Sequence, residues 1–282
     1  MEHDIMYSII VVCLNAGQRL YDTIDSILGQ QYENFEVIIK DGGSSDGSVA
    51  MLGRRCQDDR IQVHVKADKG IYDAMNQAVG LAKGSYFIFL NTGDSFYDEY
   101  VLKNVTGEIH RLEEINRKAD ILYGNMYHKA LETIIYAAPE INDFTCYRNV
   151  PCHQTCFYHR TMFDMRGYNP AYNVRADYEH FLWCYYERKA VISYMPVVVA
   201  SYEGGGYSET RENKERSRRQ HREIVVHYMG RKKADKYRLI MLLTLAPLRS
   251  AAADNKYLSV VYNGIKTAVY KLRDKGSMEV FL

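Results

Sequence analysis

Three carboxylates in this chain stand where a regular segment ends or begins, and each could do chemistry there. Asp41 follows the apolar run Phe35-Glu36-Val37-Ile38-Ile39 and opens the turn Asp41-Gly42-Gly43-Ser44-Ser45-Asp46-Gly47. A carboxylate at a strand end accepts hydrogen bonds from a base or a ribose, and glycines beside it let a ligand approach the backbone. The same residues also read as a plain βα turn with Ser and Asp as helix caps. Asp94 closes Leu90-Asn91-Thr92-Gly93-Asp94. There it could hold Mg2+ or Mn2+ against a departing diphosphate, or simply cap a turn. Asp177 lies in Arg175-Ala176-Asp177-Tyr178-Glu179, ahead of the apolar residues Phe181, Leu182, Trp183 and Tyr186. It could take a proton from an acceptor hydroxyl, with Glu179 as the second choice. Helix capping is again the structural alternative.

The elements that must position these acids alternate strand and helix. Ser8–Val12 is a short β-branched run, followed by the turn Asn15-Ala16-Gly17; Leu20, Ile24, Ile27 and Leu28 then recur on one helical face. Ile61–Val65 predicts a third strand. Tyr72–Ala82 predicts a helix closed by Gly84, and Tyr86–Leu90 a strand covered on both faces. This rhythm predicts an α/β, Rossmann-like, doubly wound and mostly parallel sheet, with ligands bound beyond the strands' carboxyl ends. Asn15, Asp41, Asp68 and Asp94 should then share one rim. Further strands are expected at Ile121–Gly124, Cys156–Tyr158 and Val197–Ala200, and a helix at Tyr178–Arg188. Gly204-Gly205-Gly206-Tyr207-Ser208 reads as a lid or as a plain hairpin loop.

In order and spacing, these motifs resemble the family 2 glycosyltransferases of the A-type fold over about residues 7–205. The carriers are Ser8–Asn15, Gln30–Ile38, Asp41–Gly47, Asp68–Asn76, Gly84–Asp94, His153-Gln154 and Asp177-Tyr178-Glu179. The resemblance implies that Cys13, Asn15 and Asp41 meet the nucleoside, uridine as a rule. Asp68, Lys69 and Asn76 would border the ribose and phosphates, with Asn91 and Thr92 beside the same nucleotide-sugar. Asp94 would be the last acid of the family's Asp-x-Asp metal motif, and Asp177 the catalytic base. His153 and Gln154 would lie near donor sugar or acceptor. The implied reaction is inverting: the acceptor oxygen attacks C1 opposite the leaving diphosphate, through an oxocarbenium-like transition state. Two positions depart from the family pattern. Thr92 replaces the first metal-motif Asp, and Gly42 stands where many relatives have a second acid.

Bulk properties bound the rest. The 282 residues, 47% hydrophobic and 25% charged, suit a soluble α/β domain of about residues 1–210 plus an appendage, 211–282. The net charge of +1 hides an asymmetry, because residues 211–282 hold 17 Lys and Arg against 7 Asp and Glu. In that extension Leu258, Val261, Tyr262, Ile265, Ala268, Val269 and Leu272 predict an amphipathic helix. It would lie on the inner-membrane surface through 231–282, or pack on the catalytic domain or on a second subunit of a homo-oligomer. With the resemblance, membrane contact would suit a lipid-linked or growing surface-glycan acceptor. The acidic start lacks a signal peptide pattern, and there is no run of about 18 apolar residues, so a cytoplasmic protein, at most peripheral on the membrane, is expected. No nucleic-acid-binding module accompanies the basic charge. Cys152, His153, Cys156 and His159 match no common zinc spacing, so reduced thiols are expected. The sequence lacks a dinucleotide fingerprint, which disfavours a dehydrogenase. A sugar nucleotidylyltransferase would want a glycine-rich N-terminal loop in place of Asn15-Ala16-Gly17-Gln18-Arg19. A catalytically degenerate nucleotide-sugar-binding subunit stays open, given Thr92.

Overall fold

The computed structural model describes residues 5–204 and 210–244. In chain order its strands are β1 (Tyr7–Cys13), β2 (Phe35–Asp41), β3 (Ile61–Val65), β4 (Tyr86–Phe89), β5 (Ser95–Phe96), β6 (Ile121–His128), β7 (Thr133–Ile135), β8 (Cys156–His159) and β9 (Ile192–Tyr202). The helices are α1 (Gln18–Leu28), α2 (Ser48–Arg55), α3 (Ile71–Val79), α4 (Val101–Glu114), α5 (Asp143–Arg148), α6 (Ala176–Tyr186), α7 (Arg211–Met229) and α8 (Arg231–Leu243).

Strand β1 explains the layering. Tyr7, Ile9, Val11 and Cys13 enter one core while Ile10 and Val12 enter the other, because successive strand side chains point to opposite faces. A strand buried on both sides is mostly apolar, as β1 and β4 are, while β2 keeps an apolar centre, Val37-Ile38-Ile39, between buried charged residues. These three and β3 pair in parallel in the order β3-β2-β1-β4. The sheet continues through β8, β6, β9 and β5, with β8 antiparallel to both neighbours and β6 parallel to β9. The result is the expected α/β, Rossmann-like arrangement, parallel in its first half and mixed beyond β4.

Register then sets the rim: Cys13 lies opposite Asp41, and Asp41 opposite Val65. The expected helix Tyr72–Ala82 ends earlier, at Val79, where Gly80 N–H closes onto the Asn76 carbonyl. Gly84 is therefore not its cap. Gly84 passes against β1 and donates its N–H to Ser8 Oγ at 2.8 Å, and a Cβ there would stand 2.6 Å from Ser8 N.

Helix α7 begins with the Thr210 side chain accepting from Asn213 N. It lies against the start of α6: Gln220 accepts from Val174 N at 3.2 Å and donates to Asn173 at 2.9 Å. The first part of the basic extension thus packs on the catalytic half. The amphipathic segment 258–272 and Gly205–Ser208 of the glycine loop lie outside the described residues. Among the described residues, no helix is long and apolar enough to cross a membrane.

Candidate active site

A cleft of about 860 Å3 opens over the carboxyl ends of β1 and β4. Cys13 comes from the end of β1, and Asp68 and Lys69 from the turn into α3. Asn91, Thr92 and Asp94 follow β4, His153 and Gln154 precede β8, and Asp177 sits in the first turn of α6. Segments more than 160 residues apart in the chain thereby meet on one surface.

Asp177 is the most constrained of these. Its Oδ1 accepts from Tyr72 Oη and from the Tyr178 N–H, both at 2.8 Å. Its Oδ2 lies 3.0 Å from His153 Nδ1. A carboxylate only accepts, so Nδ1 donates, and His153 Nε2 is left to accept from the Asn91 amide at 3.0 Å. Burial works to raise the Asp177 pKa, but the hydrogen bonds donated by His153 and Tyr72 outweigh it and hold the carboxyl below its ordinary range. Asp177 is therefore an ionised acceptor facing the cleft.

Asp94 has the opposite environment. It is 4% exposed; Oδ2 accepts from Gln154 Nε2 at 2.9 Å and Oδ1 from Glu203 N at 3.3 Å. Burial raises its pKa despite these bonds and the nearby Lys129. The Glu203 carboxylate crosses the face of Gly93, where φ is +103° and a Cβ would collide with it. Asn91 Oδ1 and Gln154 Oε1 belong to side chains lining the same cleft and are buried, with no hydrogen-bond partner among the described residues. Hard oxygen donors of this kind beside one carboxylate fit the chemistry of Mg2+ or Mn2+. Among the described residues, no cluster of three or more His, Cys, Asp or Glu is gathered for a metal. Cys156 Sγ instead turns to the Cys152 carbonyl and His159 Nδ1 to Thr161, and none of the six cysteines is in a disulfide.

Asp68 is held from below by Lys40, whose ammonium, 1% exposed, reaches its carboxylate at 3.0 Å. Gly42 leaves room for this pair, since a Cβ there would lie 2.8 Å from Asp68 Oδ2.

Four expected residues lie outside the cleft lining. The Asp41 carboxylate is 1% exposed and is taken up by Ser44 N, Ser44 Oγ and Cys13 Sγ, so the turn it caps consumes it. Asn15 tucks into the same turn, accepting from Ser45 N. Asn76 clamps the backbone of Tyr168, accepting from its N–H and donating to its carbonyl at 2.8 Å each. Glu179 points away from the cleft, where Arg166 and, from α7, Tyr228 donate to its Oε1. It sits about 200° around the helix from Asp177. Conversely, the cleft includes side chains not singled out as site residues from sequence: Arg19, Tyr72, Arg175, Glu203 and, from α7, Lys214.

Acidic and basic side chains over the carboxyl ends of parallel strands form the arrangement of α/β enzymes that bind phosphorylated nucleosides. Comparison with known proteins narrows the class. The model of the glycosyl transferase family 2 matches residues 8–167. A PGL/p-HBAD biosynthesis glycosyltransferase of Mycobacterium bovis is 36% identical over 214 residues, 74% of this chain and 82% of the relative. WfaP of Escherichia coli, a UDP-Glc:alpha-D-GlcNAc-diphosphoundecaprenol beta-1,3-glucosyltransferase, is 31% identical over 154 residues, 52% of this chain and 58% of its own. Among solved structures, residues 1–349 of TarS from S. aureus superpose with a TM-score of 0.63 at 17% identity, covering 79% of this chain and 66% of that one. TarS has also been solved in complex with UDP-GlcNAc. The mannosyltransferase PcManGT of Pyrobaculum calidifontis, solved with GDP-Man and Mn2+, gives 0.61 at 15% identity over 97% of this chain and 88% of its own. The chain belongs to family 2 of the glycosyltransferases and is a glycosyltransferase with the A-type fold.

Proposed function

We propose that the chain is an inverting glycosyltransferase that moves a sugar from a UDP-linked donor to a hydroxyl of a lipid-linked or growing surface glycan. One observation carries this reading: an ionised Asp177, oriented by His153 and Tyr72, shares a cleft with Asp68, Lys69 and Asp94. WfaP acts with UDP-Glc on a diphosphoundecaprenol-linked sugar, which supports both the donor and the acceptor class.

In this mechanism the acceptor hydroxyl gives its proton to Asp177 as its oxygen bonds to C1 of the donor sugar. The bond from C1 to the diphosphate oxygen breaks, and the diphosphate leaves with the electron pair. Asp68 and Lys69 border the ribose and phosphates. Arg19, Lys69 and Lys214 supply positive charge where the leaving group gains negative charge. Asp94 would hold Mg2+ or Mn2+, which when bound would supply Lewis-acid stabilisation of the departing negative charge. Its single carboxylate, with Thr92 in place of a second, makes the cationic side chains a larger share of that stabilisation. A lipid-linked acceptor places the enzyme at the cytoplasmic face of the inner membrane.

A thermal-shift screen of nucleotide-sugars, with and without Mn2+, identifies the donor by selective stabilisation. Replacing Asp177 with Asn then lowers turnover by about 10²–10⁴-fold, the usual contribution of a positioned base, and leaves donor affinity near wild type. An equal loss of donor affinity in calorimetry would remove Asp177 from the role of base.

A further inference from the structure

A second concavity, of about 610 Å3, lies between the end of α5, the start of α6 and the α7–α8 turn. Arg148, Arg175, Arg218, Arg222, Arg231 and Arg238 line it, against one carboxylate among the described residues, Asp235, which stands 4.0 Å from Arg231. Gathering guanidinium groups this way costs Coulomb energy, even in water. Elsewhere, Arg166 pairs with Glu179 and Arg216 with Glu212. Arg148, Arg218, Arg222 and Arg238 have no such partner among the described residues, although they share one pocket. Their planar forks are free to meet an incoming anion, and phosphate is the group such forks bind in bidentate fashion.

The pocket adjoins the catalytic cleft. Arg175 lines both, with its Nε bonded to Ser217 Oγ at 2.7 Å. This one residue thus borders both spaces, two positions before Asp177 in the chain. A concave wall of arginines suits a compact tetrahedral group, whereas a flat bilayer would meet only its rim.

We infer that this pocket binds a phosphate or diphosphate ester carried by the acceptor, so that the substrate class is a phosphate-linked glycan. The inference rests on the glycosyltransferase reading for the word acceptor, while the anion site itself does not depend on turnover. Pyrophosphate is the probe, titrated by calorimetry into the full chain, into Arg222→Ala/Arg238→Ala, and into Lys69→Ala, which weakens the diphosphate site of the donor cleft. Both arginines are exposed on helix surfaces and Ala is helix-favouring, so the variant keeps its fold, as circular dichroism would verify. The expected result is a class of pyrophosphate sites present in wild type and in Lys69→Ala, and weakened about tenfold or more in the double variant. Unchanged pyrophosphate binding in the double variant overturns the inference. A vesicle arm separates the bilayer as a source of phosphate. If the two arginines are needed for flotation with vesicles containing phosphatidylglycerol, relative to phosphatidylcholine alone, while pyrophosphate affinity is untouched, the pocket serves the membrane surface and the acceptor assignment fails. Failure of the wild type to hydrolyse any nucleotide-sugar would count against the transferase reading and leave the pyrophosphate result standing.

Discussion

At the residue scale, the environment of a carboxylate decides what it can do. Asp177 and Asp94 share a cleft but are tuned in opposite directions, one by His153 and Tyr72, the other by burial. His153 is the positioning residue in this scheme. His153→Ala removes the donor that keeps the Asp177 pKa low, so the base stays protonated to a higher pH. The acid limb of the pH–rate profile should therefore move upward, and kcat should fall by about 10²-fold, as for a reacting group displaced by an ångström. The KM for the donor should hold. A lower kcat with an unmoved acid limb would mean that His153 only packs. That Asp177 and Glu179 cannot both face one cleft follows from their helical positions, about 200° apart, but which of the two faces it follows from how α6 docks. The fate of Asp41 was not legible beforehand, because its consumption by Ser44 depends on how the turn closes.

At the element scale, the rim is built by strand ends and by what is buried beneath them. Lys40 is a buried charge near the end of β2, 1% exposed. It ties β2 to the turn into α3, reaching the Asp41 and Lys66 carbonyls as well as Asp68. Lys40→Met strands the Asp68 carboxylate and should cost about 3–5 kcal/mol in chemical denaturation. Adding Asp68→Asn should recover much of that loss, since the uncompensated charge goes with it. A double variant no more stable than Lys40→Met would show that the ion pair is not the source. Helix α7 has a comparable double role. Its basic composition suggested a separate surface, yet Gln220 and Ser217 fasten it to the start of α6, and Lys214 enters the cleft.

At the scale of the whole molecule, two cores flank the sheet, and the one beneath α6 contains a fully buried His180 stacked on Phe163 at 4.4 Å. Burial pushes its pKa down to about 3 from the ordinary 6.5. Between those values the unfolded chain binds a proton at this position and the folded chain does not. Stability from this group is thus complete above pH 6.5 and declines as the pH falls toward 3. His180→Phe keeps the ring stack and removes the titration. Its stability should fall less steeply over this window, by one proton or about 1.4 kcal/mol per pH unit. Equal slopes for the two proteins, read from denaturation at a series of pH values, would rule the group out as the acid sensor.

The alternation of apolar runs with amphipathic helices determined the α/β class, because burial on two faces leaves few choices for the residues of β1, β2 and β4. The motif order determined the family, and the strand ends located the rim for the same reason. What sequence spacing could not carry was direction. Asn15, Asn76 and Glu179 carry polar groups as suitable as those of Asn91, His153 and Asp177, but the fold spends them on backbone, turn and helix contacts. Only tertiary packing brought His153 to Asp177 and six arginines to one pocket, since contacts between residues so far apart in the chain follow from the docking of whole elements. No local pattern encodes that docking.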